Sequence, residues 1–379
     1  MGNSNGKNDA TNNEKTSLDQ ETCVWIKQQF KKIAPNTDLH SFLLTCQSFI
    51  RFAEMVLGDY DQQAEIILKF GEPLEKIIEG IVSSFLKCEG CVDDSQSQSL
   101  LVEYILKGTP EQQQPSTVDT ISKRLSHSTV FPTLCKYVFE TLLFGYTNKL
   151  LPSIKERTLL TSAALLLITL QLPHQSRNQW KLLFSSRIHG ESFSKLLKAV
   201  DGTGACVVIV ETTQGRVFGG FANEGFVCGP QYSGDQRCFL FEDRHSVNIF
   251  NATGFNEHFA YLNHMQQTLP NGLGIGGADE NWSLFLREEF GKGISSANIS
   301  TFEKCWLAGE NEFDVHNVEI WRIGMAKKRR RYDSEGNEII EQKEISALDR
   351  DPEAVAVMEM SGKHMHSDGL REPQQIDDE

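Results

Sequence analysis

The sequence predicts an α+β fold: an all-helical N-terminal domain, a two-sheet antiparallel β-sandwich with short flanking helices, and an acidic tail with one short helix. Three observations predict it. Before Pro173, apolar residues recur at steps of three and four, the spacing of one helix face. After Pro173, glycine becomes frequent and short apolar runs replace the long periodic ones. One such run, residues 318–323, carries Val318 and Ile320 on one side and Trp321 and Ile323 on the other. A strand apolar on both faces lies between two covering layers.

Residues 1–20 are mostly Asn, Lys, Ser and Thr and read as a disordered arm. The helical domain is expected over 21–172. Phe42, Cys46, Phe49, Ala53 and Val56 form one helix face. Pro73 opens the next helix, at a position where its missing N–H costs nothing. Leu74, Ile77, Ile78, Ile81 and Phe85 make its buried stripe, and Gly90 lies beyond its end. Residues 92–99 and 108–118 are rich in Gln, Ser, Asp and Pro and read as loops. Helical pattern resumes near Leu134 and runs, with a break at Pro152, to Leu172. The run from Thr158 to Leu172 is about one turn too short for a bilayer. It contains Thr161, Ser162 and Thr169 and reads as a core helix.

The β domain is expected over 173–325. Cys206 to Val210 reads as a buried strand, Gln214-Gly215 as a turn and Val217 to Phe221 as the returning strand. Cys238 to Phe241 and Ser283 to Leu286 read as further strands. Residues 326–379 are a basic linker and an acidic tail. Asp351 is placed as an N-cap and Pro352 as a first helical residue, giving a helix near 352–361 that Gly362 ends. Leu348, Val355 and Met358 lie near one face of this piece, which is too short to be stable alone. It packs on its own domain or folds on a protein partner.

Formal net charge is −14. Residues 332–379 hold 14 acidic and 4 basic residues, a net of −10, so the remainder carries −4. No broad basic face is present to displace counterions, which excludes nucleic acid as the expected partner. The sequence has 9 cysteines and no charged-then-apolar opening, which implies a reducing cytosolic setting with free thiols.

From Trp180 to Gly324 the chain resembles the TLDc family. The resemblance is carried by Leu182 to Gly190 (LLFSSRIHG), Val217 to Phe221 (VFGGF), Gly234 to Phe241 (GDQRCFLF), Leu269 to Gly277 (LPNGLGIGG) and Val318 to Trp321 (VEIW), in that order. It implies a TLDc-type β-sandwich with short helices and no established catalytic centre. It also implies protection against oxidative stress and binding to the vacuolar proton-pumping ATPase. Lysosomal membranes and MTOR growth signalling are implied for the nearest members.

Several motifs bear on chemistry. Gly2 in Met1-Gly2-Asn3-Ser4-Asn5-Gly6-Lys7 resembles an N-myristoylation acceptor, with Gly6 where the simple pattern asks for Ser or Thr. A single myristoyl chain binds membranes marginally, so a second contact is expected. The block Lys327, Lys328, Arg329, Arg330 and Arg331 suits a linker, an anionic-lipid contact or a nuclear import signal. The run Gly272 to Gly277 lacks the Gly-Lys-Ser/Thr ending of a phosphate loop; Pro270-Asn271-Gly272 reads as a turn, and the glycines permit close backbone approach. Cys88-Glu89-Gly90-Cys91 stands alone, without a second Cys-x-x-Cys or a His pair. Ser185, Ser186, His189, Glu224, Asp235 and Cys238 include the side chains a hydrolase or thiol enzyme needs, but their spacing fixes no nucleophile and base. Asp235 and Arg237 are expected to anchor a turn.

The expectation is therefore a non-enzymatic adaptor with no catalytic residue, cofactor or metal. It sits on the cytoplasmic face of lysosomal or endosomal membranes, with a cytosolic pool, and binds the vacuolar ATPase and MTOR-pathway proteins. The alternative is a cytosolic thiol-dependent oxidation-resistance enzyme using Cys238 or another thiol.

Overall fold

The computed structural model describes residues 18–33, 46–91, 94–107, 117–127, 129–145, 149–278, 281–326, 331–332 and 338–339. Gly2, Lys327 to Arg330, Leu348, Val355, Met358 and the expected helix near 352–361 lie outside the described residues.

The helices come first: α1 (Gln20–Ile33), α2 (Cys46–Leu57), α3 (Tyr60–Phe70), α4 (Leu74–Glu89), α5 (Ser95–Leu106), α6 (Val118–His127), α7 (Val130–Phe144) and α8 (Ser162–Gln171). Local chemistry sets their ends. Asp59 and Gln62 form a reciprocal capping box at the start of α3, and Gly71 turns left-handed at its end. Gly90 and Gly145 do the same after α4 and α7. Pro73 stands one position earlier than its sequence context predicts, as the cap of α4.

Two stretches that read as loops are partly helical. Asp94 caps α5 through the backbone N–H of Ser97, so Ser95 to Ser99 are its first turns. Val118 begins α6, which the sequence pattern does not bring out. In both, tertiary burial of Leu100, Leu101, Ile121 and Leu125 outweighs polar local composition.

Beyond α8 come β1 (Trp180–Ser185), α9 (Ser186–His189), α10 (Phe193–Val200), β2 (Cys206–Thr212), β3 (Val217–Ala222), β4 (Phe239–Asp243), β5 (Asn248–Asn251), β6 (Ala260–Asn263), β7 (Gly272–Ala278), β8 (Asn281–Arg287), β9 (Lys292–Ile294) and β10 (Glu312–Ile323). Every pairing among them is antiparallel. The strand order is β5-β4-β3-β2-β10-β9-β8-β7-β6, with β1 on β10. β10 belongs to two sheets. Glu312 to Asp314 pair with β9, and from Val315 onward the strand pairs with β2, across an irregularity at Val315/Asn317. A break of that kind bends a strand and re-aims it.

The first sheet is the middle layer. Val207, Ile209, Phe221, Phe241 and Trp321 face the helices and share a core with Ile81, Phe85, Leu134, Leu166 and Ile168. Val208, Val210, Phe218, Leu240 and Ile320 face the second sheet and meet Leu262, Leu273, Ile275, Leu284 and Leu286, with Leu196 of α10 closing one side. Every residue of β2 is buried, as its two-sided apolar pattern requires. A separate short hairpin pairs β11 (Arg331–Tyr332) with β12 (Glu338–Ile339).

Candidate functional site

Of the side chains that could carry chemistry, Ser186, His189, Asp235 and Cys238 are engaged in holding local structure. Ser186 Oγ accepts the backbone N–H of Val318 at 3.0 Å. His189 Nδ1 accepts the N–H of Ser185 at 3.0 Å, and its ring stacks on Phe184. Asp235 takes the backbone N–H of Arg237 at 2.9 Å and its guanidinium Nε at 3.0 Å. The Arg237 hydrogen bond holds this carboxyl down at about 2. Glu224 is exposed.

The thiols point the same way. Cys238 Sγ donates to Asn223 Oδ1 at 3.0 Å, and burial pushes the thiol up to about 11. A thiol with that pKa is about one part in ten thousand thiolate at neutral pH, far from the lowered range of reactive cysteines. Burial also raises Cys206 and Cys305 to about 12. Cys88 is raised, by burial first and then by Glu89. Cys91 Sγ accepts from Ser162 Oγ at 3.5 Å, which ties the end of α4 to the start of α8. Among the described residues, no group of three His, Cys, Asp or Glu is placed to hold a metal ion.

A seam of buried carboxylates joins the helical layer to the first sheet. Glu319 Oε2 accepts Thr158 Oγ1, the N–H of Leu159 and Trp321 Nε1, each at 3.1 Å. Asp243 accepts the N–H of Thr161 at 2.8 Å and its hydroxyl at 2.7 Å, and Thr161 in turn caps α8. Burial raises the Asp243 pKa against these bonds. Glu211 receives Arg244 Nη1 at 2.7 Å, Arg187 Nη2 at 3.2 Å and the Asn317 amide. Burial opposes its charge, yet Asn317 and the two guanidiniums leave its pKa lowered. Arg244 reaches this position with a φ of 73°, a left-handed conformation that costs a non-glycine residue about 1–2 kcal/mol. Sequence reasoning missed the seam. Its signal is present, since Glu211 and Glu319 are charges inside otherwise apolar strand runs.

The outer face of the second sheet is built differently. Leu284 and Leu286 face inward, so Phe285 between them faces out, and Ile294 lies beside it. Phe285, Trp282 and Tyr261 form an aromatic layer, with ring centroids 4.8 and 5.3 Å apart. The layer rests on a bed of glycine. A Cβ at Gly274 would fall 2.5 Å from the Trp282 ring, and one at Gly272 would fall 2.6 Å from the Phe285 ring. The run from Gly272 is strand β7, and its glycines do permit a close approach. Its close approach is to rings, with no phosphate involved.

Beside this layer runs an open trough of about 690 Å³. Phe285, Ile294 and Pro270 form its apolar part, and Glu288, Glu289, Glu312 and Arg287 stand around it. The loop before β7 overhangs one end. There His264 Nδ1 lies 2.8 Å from Glu288 Oε2, and Asn271 pairs with the backbone of Gln266 in both directions at 2.9 Å. These bonds hold Met265 at a φ of 58° with 79% of its surface exposed.

Residues 153–324 match the TLDc domain family. That match covers a little under half of the chain. Its range begins ahead of Pro173, so it takes in α8 and the 158–161 segment that the seam holds. The chain is 42% identical over 218 residues to "MTOR-associated protein MEAK7" of Gallus gallus, covering 57% of this chain and 44% of that protein. To the protein of the same name from Homo sapiens it is 41% identical over 217 residues, covering 57% and 46%. "Oxidation resistance protein 1" of Yarrowia lipolytica is more distant, at 30% identity over 154 residues, covering 38% of this chain and 64% of that protein. The chain spans about half the length of the MTOR-associated relatives it matches. No helix among the described residues is long and apolar enough to cross a membrane.

Proposed function

We propose that this TLDc protein is a non-enzymatic adaptor that works through binding surfaces on the cytoplasmic side of endolysosomal membranes. One observation carries the reading: the Ser186, His189, Asp235 and Cys238 side chains are committed to the fold, and Cys238 is raised to about 11. The MTOR-associated name of the relatives supports a regulatory role in growth signalling. In this reading the TLDc domain engages the vacuolar proton-pumping ATPase, Gly2 carries a myristoyl chain, and the tail face of Leu348, Val355 and Met358 adds a partner contact. The block from Lys327 to Arg331 adds a lipid contact. One acyl chain holds a protein to a membrane only marginally, so residence there depends on protein contacts as well.

Affinity purification of the full chain from cells tests the reading. It is expected to recover pump subunits, and Gly2→Ala is expected to move the protein from membranes to cytosol. Absence of pump subunits, with the protein folded, counts against the ATPase as partner. A turnover reaction abolished by one conservative substitution counts against an adaptor altogether.

A further inference from the structure

We propose that the trough on the outer face of the second sheet docks a peptide segment of a partner protein, one that carries an apolar side chain between Lys or Arg residues. This deepens the adaptor reading and rests on it.

The shape comes first. The solvent side of an antiparallel sheet is ordinarily polar. Here the cross-strand row of β8, β9 and β10 runs Phe285, Ile294, Glu312. Phe285 is 3% exposed and Ile294 half-buried, so a narrow apolar strip passes directly into a charged wall. The trough's size, about 690 Å³, lies within the range of clefts that enclose a ligand. Met265 and Leu269, 79% and 40% exposed, belong to the loop that leads into Pro270 and Asn271 of the trough. Methionine adapts to irregular partners, and the bonds at the loop base hold this one in place beforehand, which lowers the ordering cost of docking.

Charge then selects the occupant. Among the described residues, Glu288, Glu289 and Glu312 face the trough against the single cation Arg287, whose Nη2 lies 2.7 Å from Glu312 Oε1. The wall is therefore net negative, and Lys or Arg beside an apolar anchor complements it. An acidic segment or an anionic membrane is repelled.

Methyl NMR on the full chain, labelled at Met and Ile, tests this with two synthetic peptides. One places a Leu between Lys residues, and the other has Glu at the Lys positions. The Lys peptide is expected to shift the Ile294 and Met265 methyl signals, and added salt is expected to weaken it. Glu289→Gln with Glu312→Gln is expected to weaken binding about tenfold with an unchanged melting temperature. Both side chains are exposed, so the double variant is expected to fold. Equal binding of the Glu peptide, shifts confined to other methyls, or unchanged affinity in the double variant overturns the proposal. The titration decides the trough whatever a cell purification recovers. Absence of pump subunits removes the ATPase as partner and a turnover reaction removes the adaptor reading, so those failures are distinguishable from failure of the trough.

Discussion

A buried carboxylate stabilises a fold only when its oxygens are used, because an unsatisfied charged group costs several kcal/mol. Glu319, Asp243 and Glu211 meet that condition with donors that come partly from the 158–161 segment and partly from Arg187 and Arg244. Their identity is legible as charges in apolar strands, but their partners are not, since Thr158 and Glu319 lie far apart in sequence. The cysteines are the reverse case. Composition implies free thiols, and packing decides which can react. Cys228 is exposed, whereas Cys135, Cys206 and Cys238 are buried. Burial and then Asp201 raise the Cys228 thiol, so its advantage is access alone. We predict that iodoacetamide modifies Cys228 well before Cys206 or Cys238 in the folded protein, as read by peptide mass spectrometry. Faster labelling of Cys238 would reopen the thiol-enzyme reading.

At the scale of elements, long periodic stripes are legible and polar or glycine-rich elements are not. The stripe from Leu74 to Phe85 becomes α4, and the two-sided run from Val318 becomes the inner part of β10. By contrast, α5 begins in a Ser- and Gln-rich stretch, and β7 is built on glycine, the residue that local statistics place in turns. What makes β7 a strand is not local. Its neighbours β6 and β8 complete the hydrogen bonding, and the Trp282 and Phe285 rings occupy the space its side chains would fill. Gly274→Ala is therefore expected to destabilise the protein by about 1–3 kcal/mol, the usual cost of overpacking. Urea unfolding measures it, and an unchanged midpoint would mean that Trp282 moves aside freely.

At the scale of the whole molecule, the change of pattern at Pro173 suggests two domains, but the packing makes a single core out of both. One face of the first sheet is covered by the helices and the other by the second sheet, so removing either layer exposes a continuous apolar surface. Burial of a single Phe or Leu contributes about 1.5–3 kcal/mol, and Phe221, Phe241 and Trp321 all lose it together when the helices leave. Helices and sheets are therefore expected to unfold in one cooperative step. Far-UV circular dichroism follows the helices, and in a Trp25→Phe variant, which removes the tryptophan of α1, fluorescence follows Trp180, Trp282, Trp306 and Trp321 of the β region. Coincident urea midpoints are the predicted outcome, and a fragment of residues 173–325 is expected to bind a hydrophobic dye. Two separated transitions would mean that the helical layer is a lid on an independently stable sandwich. The seam at Asp243 and Glu319 would then be the place where it opens, because both carboxylates accept hydrogen bonds from the 158–161 segment that leads into α8.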